Sequence, residues 1–550
     1  MRLKILAIVI MLVMVSSIFV ASADIKDYND VEDADDNNLE TKEIRVAILF
    51  EQPVGSLIGT AKGTFLEILY NPWVVGNRSY RFITTPIYDK DILNGELNTD
   101  NYDVLIGPGG DVGDGEAIAK GFYRLPKVKK WKEKIAQFVK DGGGYCGYCG
   151  GTAMFTGLSK TPTTFLERQY DKSAIGVSCV NSYYKDIAFP MFYPFQRWYP
   201  EKVGAALYFF AFPTMDTQIN TNHPIFDDYL EDTRWIKWIG GPALVLPDNP
   251  DREVHVLARY PEDLSENEST RVHVWRYTGG FLGLIRSFFK LVSRYGEYKS
   301  MYTSMGLQLT FLEFLRYSFI MSYRLATDWE KTDKVLDLNF SDKPCITAEV
   351  YPNENQGRIV LNGPHPEYAV DWGDYIEEAA DTRDNCLAGL YSWVNATPFD
   401  VTYNWWIVRR QVAWAAKVPD DDLPPVYGYS QVNDLTQYEQ LSCFTLVGNM
   451  ELSLPYYIRY VLYYISSYNV SFSLDLYYCY SEDNASWGNW VFYETDIDAS
   501  DGWSWEFNAP NETGYYQFYS IKRIELRCGE EVFNVIEKVP PGPDAIAYVI

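Results

Sequence analysis

Residues 142–151 read Gly-Gly-Gly-Tyr-Cys-Gly-Tyr-Cys-Gly-Gly, a turn-dense stretch that carries two of the chain's 8 cysteines. It follows a basic run, residues 127–140, whose apolar positions recur at helical spacing. Further upstream, residues 44–50 form an apolar run suited to a strand buried on both faces, and residues 57–70 have helical spacing. Residues 102–106 are a second such strand, ending in Gly107-Pro108-Gly109-Gly110. Strands alternating with helices imply right-handed crossovers, and those predict a doubly wound parallel sheet with its sites beyond the carboxyl ends of the strands. Both glycine-rich turns fall at that edge.

A cysteine nucleophile needs to be a thiolate, exposed to substrate and close to backbone donors that can hold an oxyanion. Gly147-Tyr148-Cys149-Gly150-Gly151 meets that need, because glycines two before and two after the nucleophile relieve crowding in a sharp strand-to-helix turn. Downstream, residues 357–367 read as a strand, Gly-Arg-Ile-Val-Leu-Asn-Gly, ending in Pro364-His365-Pro366-Glu367. Residues two apart in an extended chain share a face, so Glu367 is placed to orient His365 while Pro366 stiffens the link. His365 then takes the thiol proton and returns it to the leaving group. The candidate catalytic residues are therefore Cys149, His365 and Glu367, with Gly109, Gly110 and Gly150 as the oxyanion hole. Cys146-Gly147-Tyr148-Cys149 is also a C-x-x-C, so Cys146 is a candidate redox partner whose disulfide with Cys149 would block the nucleophile reversibly.

These pieces, in this order, resemble the class I glutamine amidotransferase-like superfamily, most closely the branch similar to the N-terminal domain of eukaryotic biotin-protein ligases. The resemblance covers roughly residues 44–260 and 343–375, and Asn222-His223-Pro224-Ile225-Phe226 and Gly240-Gly241-Pro242 belong to it as well. It implies a flavodoxin-like sheet with nucleophile Cys149, base His365 and orienting acid Glu367. Thr152-Ala153-Met154 depart from the pattern, since glutamine-hydrolysing members usually carry a polar residue there to grip the substrate. The chain shows no biotin ligase catalytic domain and no synthase partner domain, so neither biotinylation nor ammonia channelling is implied.

Around this unit the chain divides into further parts. Residues 1–23 read as a secretory signal: Arg2 and Lys4 precede an apolar run, 5–20, and Ala21-Ser22-Ala23 supplies a cleavage pattern. The run is shorter than the roughly 20 residues that span a bilayer, with an uncleaved anchor as the alternative. Residues 24–43 are an acidic linker, and 44–375 the α/β domain. Within it, residues 174–180, 205–212, 242–246 and 254–260 are strand-like runs. A helical insertion is expected at about 278–329, either a packed subdomain or a lid or membrane-surface contact. Residues 376–439 would connect to a β-sandwich over 440–550, where Val470, Phe472, Leu474, Leu476, Tyr478 and Tyr480 alternate with their neighbours. That last region resembles fibronectin-type-III-like or immunoglobulin-like surface modules. In it, Cys479 and Cys528 are candidates for a bridge between strands.

The formal charge of -26 becomes -28 without Arg2 and Lys4, which argues against nucleic acid or anionic lipid as partners, because both require a basic surface. Sequons at Asn77, Asn267, Asn339, Asn395, Asn469, Asn484 and Asn511 suit a secreted glycoprotein. No Cys/His cluster has zinc-site spacing, and no cofactor is expected. Of the 4 histidines, His223 reads as a packing or capping residue, while His255 and His273 lie in alternating strand-like runs. The expected function is an extracellular or cell-surface cysteine amidase or hydrolase acting on a small amide or peptide. The alternative is a non-catalytic surface binding or adhesion protein that keeps the fold.

Overall fold

A computed structural model describes residues 40–50, 65–109, 126–162, 168–183, 214–262, 272–296, 310–318, 329–371, 399–432, 443–450 and 469–549, apart from a few positions inside these spans. Along the chain come β1 (Glu40–Leu49), β2 (Trp73–Val75), β3 (Arg78–Ile87), β4 (Val104–Gly107), β5 (Gly144–Tyr148), β6 (Gly157–Leu158) and β7 (Asn181–Tyr183). They are followed by β8 (Thr214–Ile219), β9 (Thr233–Lys237), β10 (Ala243–Val245), β11 (Val254–Arg259), β12 (Val272–Tyr277), β13 (Trp329–Leu336), β14 (Pro344–Val350) and β15 (Arg358–Asn362). Among the described residues ten of these form one sheet, in the order β2-β3-β1-β4-β5-β15-β14-β11-β8-β9.

Half of that sheet is parallel. β3, β1, β4, β5 and β15 run the same way, whereas β14, β11, β8 and β9 continue the sheet antiparallel. The switch has a simple cause: only residues 351–357 join β14 to β15, too few for the crossover of a dozen or more residues that a parallel pair needs. The protein is thus a mixed α/β chain with a parallel-then-antiparallel sheet, rather than parallel throughout.

Alternation along the parallel strands feeds two cores. Ile44, Val46 and Ile48 of β1, Val104 and Ile106 of β4, Cys146 and Tyr148 of β5 and Val360 of β15 face one side. Ala47, Leu49, Leu105, Tyr145, Ile359 and Leu361 face the other. Such strands are covered on both faces, which is why they read as continuous apolar runs. The helices are α1 (Asp89–Asn94), α2 (Pro126–Lys140), α3 (Gly150–Phe155), α4 (Gly280–Val292) and α5 (Trp405–Ala415). α2 covers the second face through Trp131, Ile135, Phe138 and Val139, one stripe at helical spacing. α5 covers the first face, and its Trp406, Ile407, Val408, Val412 and Ala413 are buried there. Each such side chain contributes roughly 1.5–3 kcal/mol on burial for the larger aliphatics.

Several expectations need correction. The strand β1 begins at Glu40, inside the expected linker 24–43, because Glu43 pairs in register with Arg81 and the two side chains form an ion pair. Residues 174–180 read as a strand but form none, although Ile175, Val177 and Val180 are buried. Backbone donors there find other acceptors: Ile175 N–H donates to Met154 O at 2.9 Å and Cys179 N–H to Glu349 Oε2 at 3.1 Å. The expected helical and loop connection 376–439 contains α5, whose apolar residues pack into the same core as the first face of the sheet. The helical insertion is present as α4 and a helical turn within 310–318, set between β12 and β13. Those two strands pair only with each other among the described residues. The expected strand at 205–212 lies outside the described residues.

A second, largely antiparallel β region follows: β16 (Val370–Asp371), β17 (Phe399–Thr402), β18 (Ser430–Val432), β19 (Cys443–Met450), β20 (Asn469–Ser481), β21 (Val491–Asp496), β22 (Ser504–Asn508), β23 (Gly514–Cys528), β24 (Glu531–Glu537) and β25 (Ala545–Val549). One sheet runs β16-β17-β24-β23-β20-β21 with β25 beside β23, and β18-β19-β22 form another. Phe444, Leu446, Trp505 and Phe507 from the smaller sheet pack with Leu474, Leu476, Tyr516 and Phe518 from the larger. The region therefore reaches back before residue 440, since β16 and β17 belong to the larger sheet through the pairing of β17 with β24. A Cys479–Cys528 bridge does not form. Arg527, next to Cys528, lies opposite Asn469, ten residues from Cys479 and on the order of 33 Å along the strand. Cys479 is a free thiol that donates to Gln517 Oε1 at 3.5 Å.

Candidate active site

Three adjacent parallel strands, β4, β5 and β15, end at the same edge, and each delivers one part of the site. β5 hands the chain to α3 through Cys149, whose φ of 45° and ψ of -105° lie outside the regions side chains ordinarily adopt. Such strain costs on the order of 1–3 kcal/mol and persists only where the surroundings over-determine it. Here they do. Cys149 N–H donates to Asn362 O at 2.8 Å, and Cys149 O accepts from Ala153 N–H at 2.9 Å. Gly151 presses onto β4 so closely that a Cβ there would sit 1.8 Å from Gly107 O. The second glycine after the nucleophile is thus a packing requirement of the turn.

β15 delivers His365, and the structure joins it to Glu367 as the spacing predicts: His365 Nδ1 lies 2.6 Å from Glu367 Oε1. Both are buried. Nδ1 is engaged by the carboxylate, so Nε2 is the nitrogen for the thiol, and the imidazole and Cys149 interact electrostatically. Burial alone lowers the imidazole pKa, but the charges of Glu367 and Cys149 and the hydrogen bond to Glu367 outweigh it and raise the value to about 10. His365 is therefore held as imidazolium at neutral pH, the state that donates a proton to a leaving group.

β4 delivers the Gly107–Gly109 turn. Gly109 faces both partners: a Cβ on it would lie 2.6 Å from His365 Cε1 and 3.1 Å from Cys149 Cβ. Cys149, His365, Glu367 and Gly109 are thus brought together, and Gly150 stands beside them as the first residue of α3. Gly110 lies outside the described residues.

Cys146 is placed elsewhere. It is fully buried in the face covered by α5, with Sγ directed at Gln411 O at 3.6 Å, and is a free thiol. Burial pushes that thiol well above the ordinary thiol range, which removes the thiolate that disulfide exchange requires. The redox-partner expectation finds no support in this placement.

The structure adds residues that sequence reasoning missed. Asn362 and Gln411 exchange amide hydrogen bonds, Gln411 Nε2 to Asn362 Oδ1 at 2.7 Å and Asn362 Nδ2 to Gln411 Oε1 at 3.2 Å. Tyr148 Oη donates to the same Gln411 oxygen at 3.0 Å. The Thr152 hydroxyl lies 2.7 Å from Asn362 O and 2.9 Å from Gly147 O, and accepts from Asn362 N–H at 3.0 Å. Trp405 Nε1 donates to Glu367 O at 3.1 Å. α5 thus braces the nucleophile turn and the histidine segment from beneath, a link spanning some forty or more residues of sequence that no local pattern announces. Tyr260, on the antiparallel flank, is close enough to feel the Cys149 charge.

The other histidines stay apart from this chemistry. His223 Nδ1 accepts from Ile225 N–H at 3.2 Å within a turn, and its ring packs 5.1 Å from Trp414. Burial, then the neighbouring His255 and Arg358, lower its pKa to about 3. His255 pairs with Glu253 at 2.9 Å, and His273 lies in β12. Compared with known proteins, the chain matches no family model and no curated protein.

Proposed function

We propose that this chain is a secreted or cell-surface cysteine-dependent amidase or hydrolase of the class I glutamine amidotransferase-like type, built on a flavodoxin-like doubly wound core. Cys149 Sγ attacks the carbonyl carbon of an amide, and the oxyanion is held by the backbone amides of Gly150 and Gly109. His365 gives its proton to the departing amine as the C–N bond breaks, leaving a thioester. His365 then takes a proton from water, whose oxygen attacks the thioester, and returns it to the Cys149 sulfur as the acid is released. Glu367 keeps the imidazole in the tautomer and orientation that this shuttle needs.

The observation that carries this reading is the convergence of a backbone-strained Cys149 with a His365–Glu367 pair at 2.6 Å. The first turn of α3 bears on substrate class. Thr152 spends its hydroxyl on Gly147 and Asn362, and Ala153 and Met154 are buried apolar residues. No polar side chain of that turn is left to grip a glutamine amide, which favours another small amide or a peptide. The test is acylation of the intact protein by an activated-ester probe, followed by peptide mapping. Modification of Cys149 that disappears in Cys149→Ala and falls sharply in His365→Ala supports the enzyme. Labelling that survives both substitutions overturns it and leaves the non-catalytic surface binding protein.

A further inference from the structure

We propose that the α4 arm docks on an anionic lipid surface. α4 is a 13-residue helix carried between β12 and β13, a two-stranded hairpin that pairs with no other strand among the described residues. Its inward side is satisfied: Gly283 and Leu291 are buried, and Tyr295, just beyond the helix, packs its ring 5.5 Å from that of Phe314 in the neighbouring helical turn. The outward side is different. Leu282, Arg286, Phe289, Lys290 and Ser293 are all exposed, and at 3.6 residues per turn they share one stripe of about 100°.

Leu282 and Phe289 are 71% and 64% exposed, and Phe311 and Leu312 at the adjoining turn add 51% and 38%. Large apolar side chains left in water at this density mark a contact surface. Its charge identifies the occupant. The chain carries a formal -26, yet residues 280–299 contain Arg286, Lys290, Arg294 and Lys299 against the single acid Glu297. Arg286 and Lys290 stand within the apolar stripe and form no ion pair with the described residues, so an acidic protein keeps a local cationic patch beside the exposed Leu282 and Phe289. Cations interleaved with Leu and Phe on one helical face suit the headgroup boundary of an anionic bilayer: the rings and aliphatic groups enter the acyl margin while Arg and Lys reach the phosphates. No helix among the described residues is long and apolar enough to cross a membrane, so the contact is interfacial.

The test is flotation of the full chain with vesicles of phosphatidylcholine alone and with about a third phosphatidylserine. Wild type binds the anionic vesicles, and raising salt weakens it. Arg286→Gln with Lys290→Gln lowers affinity about 30-fold, at roughly fivefold per cation. Leu282→Ser with Phe289→Ser abolishes stable binding, while thermal melting of both double variants stays at the wild-type temperature because all four side chains are exposed. Equal binding to neutral and anionic vesicles, or equal affinity of the charge variant and wild type, overturns the proposal. So does sedimentation showing a concentration-dependent dimer that the apolar double variant loses, since a second copy would then be the occupant.

Discussion

Gly109→Ala tests whether the three strand ends form one working unit. The substitution adds a single methyl, and the native backbone would place it 2.6 Å from His365 Cε1, 3.2 Å from His365 Nδ1 and 3.1 Å from Cys149 Cβ. Carbon atoms rest at about 3.5–4.0 Å, so the imidazole must retreat by roughly 1 Å. It has little room to do so, because Nδ1 is tied to Glu367 at 2.6 Å and the ring is buried. Overpacking of this kind costs about 1–3 kcal/mol of stability. A 1 Å misplacement of a reacting group costs on the order of 10²-fold in rate. The assay is the rate of Cys149 acylation by an activated ester, followed by intact mass, with Cys149→Ala as the zero and thermal melting as the check on folding. The expected result is a folded protein with acylation slowed by about two orders of magnitude. Acylation at the wild-type rate in a folded Gly109→Ala protein would refute the claim that this glycine wedges against the catalytic pair.

Other outcomes follow from the same geometry. Glu367→Gln removes the charge that offsets burial, so the His365 pKa falls from about 10 toward or below the ordinary value of 6.5; histidine NMR, simplified by only 4 histidines, reads this, and an unmoved titration contradicts it. Because the folded pKa is raised, the paired imidazolium contributes stability that is full below about pH 6.5 and lost as pH rises through about 10. Denaturation midpoints measured across that window should decline in wild type and decline less in Glu367→Gln. Gln411→Leu strands the buried Asn362 Oδ1 and the Tyr148 hydroxyl, while Asn362 Nδ2 keeps Gly147 O, at a cost of about 1–3 kcal/mol by urea denaturation, and slows Cys149 acylation although residue 411 touches no reacting atom. Cys146→Ala leaves Cys149 acylation within about twofold while lowering stability modestly, as loss of a small buried group should; a disulfide between the two cysteines in unreduced protein would count against that placement.

The sequence by itself determined the parts whose information is local. Runs such as 44–50 and 102–106 announce strands covered on both faces, since a continuous apolar run has no solvent side to spare, and they became β1 and β4. Gly147 to Gly151 announced a turn too tight for side chains, and His365-Pro366-Glu367 announced a pair, because the distance between residues two apart is set by covalent geometry. The same local reading erred where hydrogen-bond partners come from far away. Residues 174–180 alternate like a strand, yet their amides are satisfied by Met154 and Glu349. Only the tertiary structure decided that β4, β5 and β15 lie side by side, which is what carries Gly109 and His365 to Cys149. It alone decided that half the sheet turns antiparallel, that Cys146 faces α5, and that α5 belongs beneath the site. The register and order of strands follow from which buried surfaces fit together across the whole chain, and no window of sequence contains that sum. For Gln411 and Asn362 the signal is absent in sequence, since two amides 49 residues apart acquire meaning only when folding removes the water that would otherwise satisfy them.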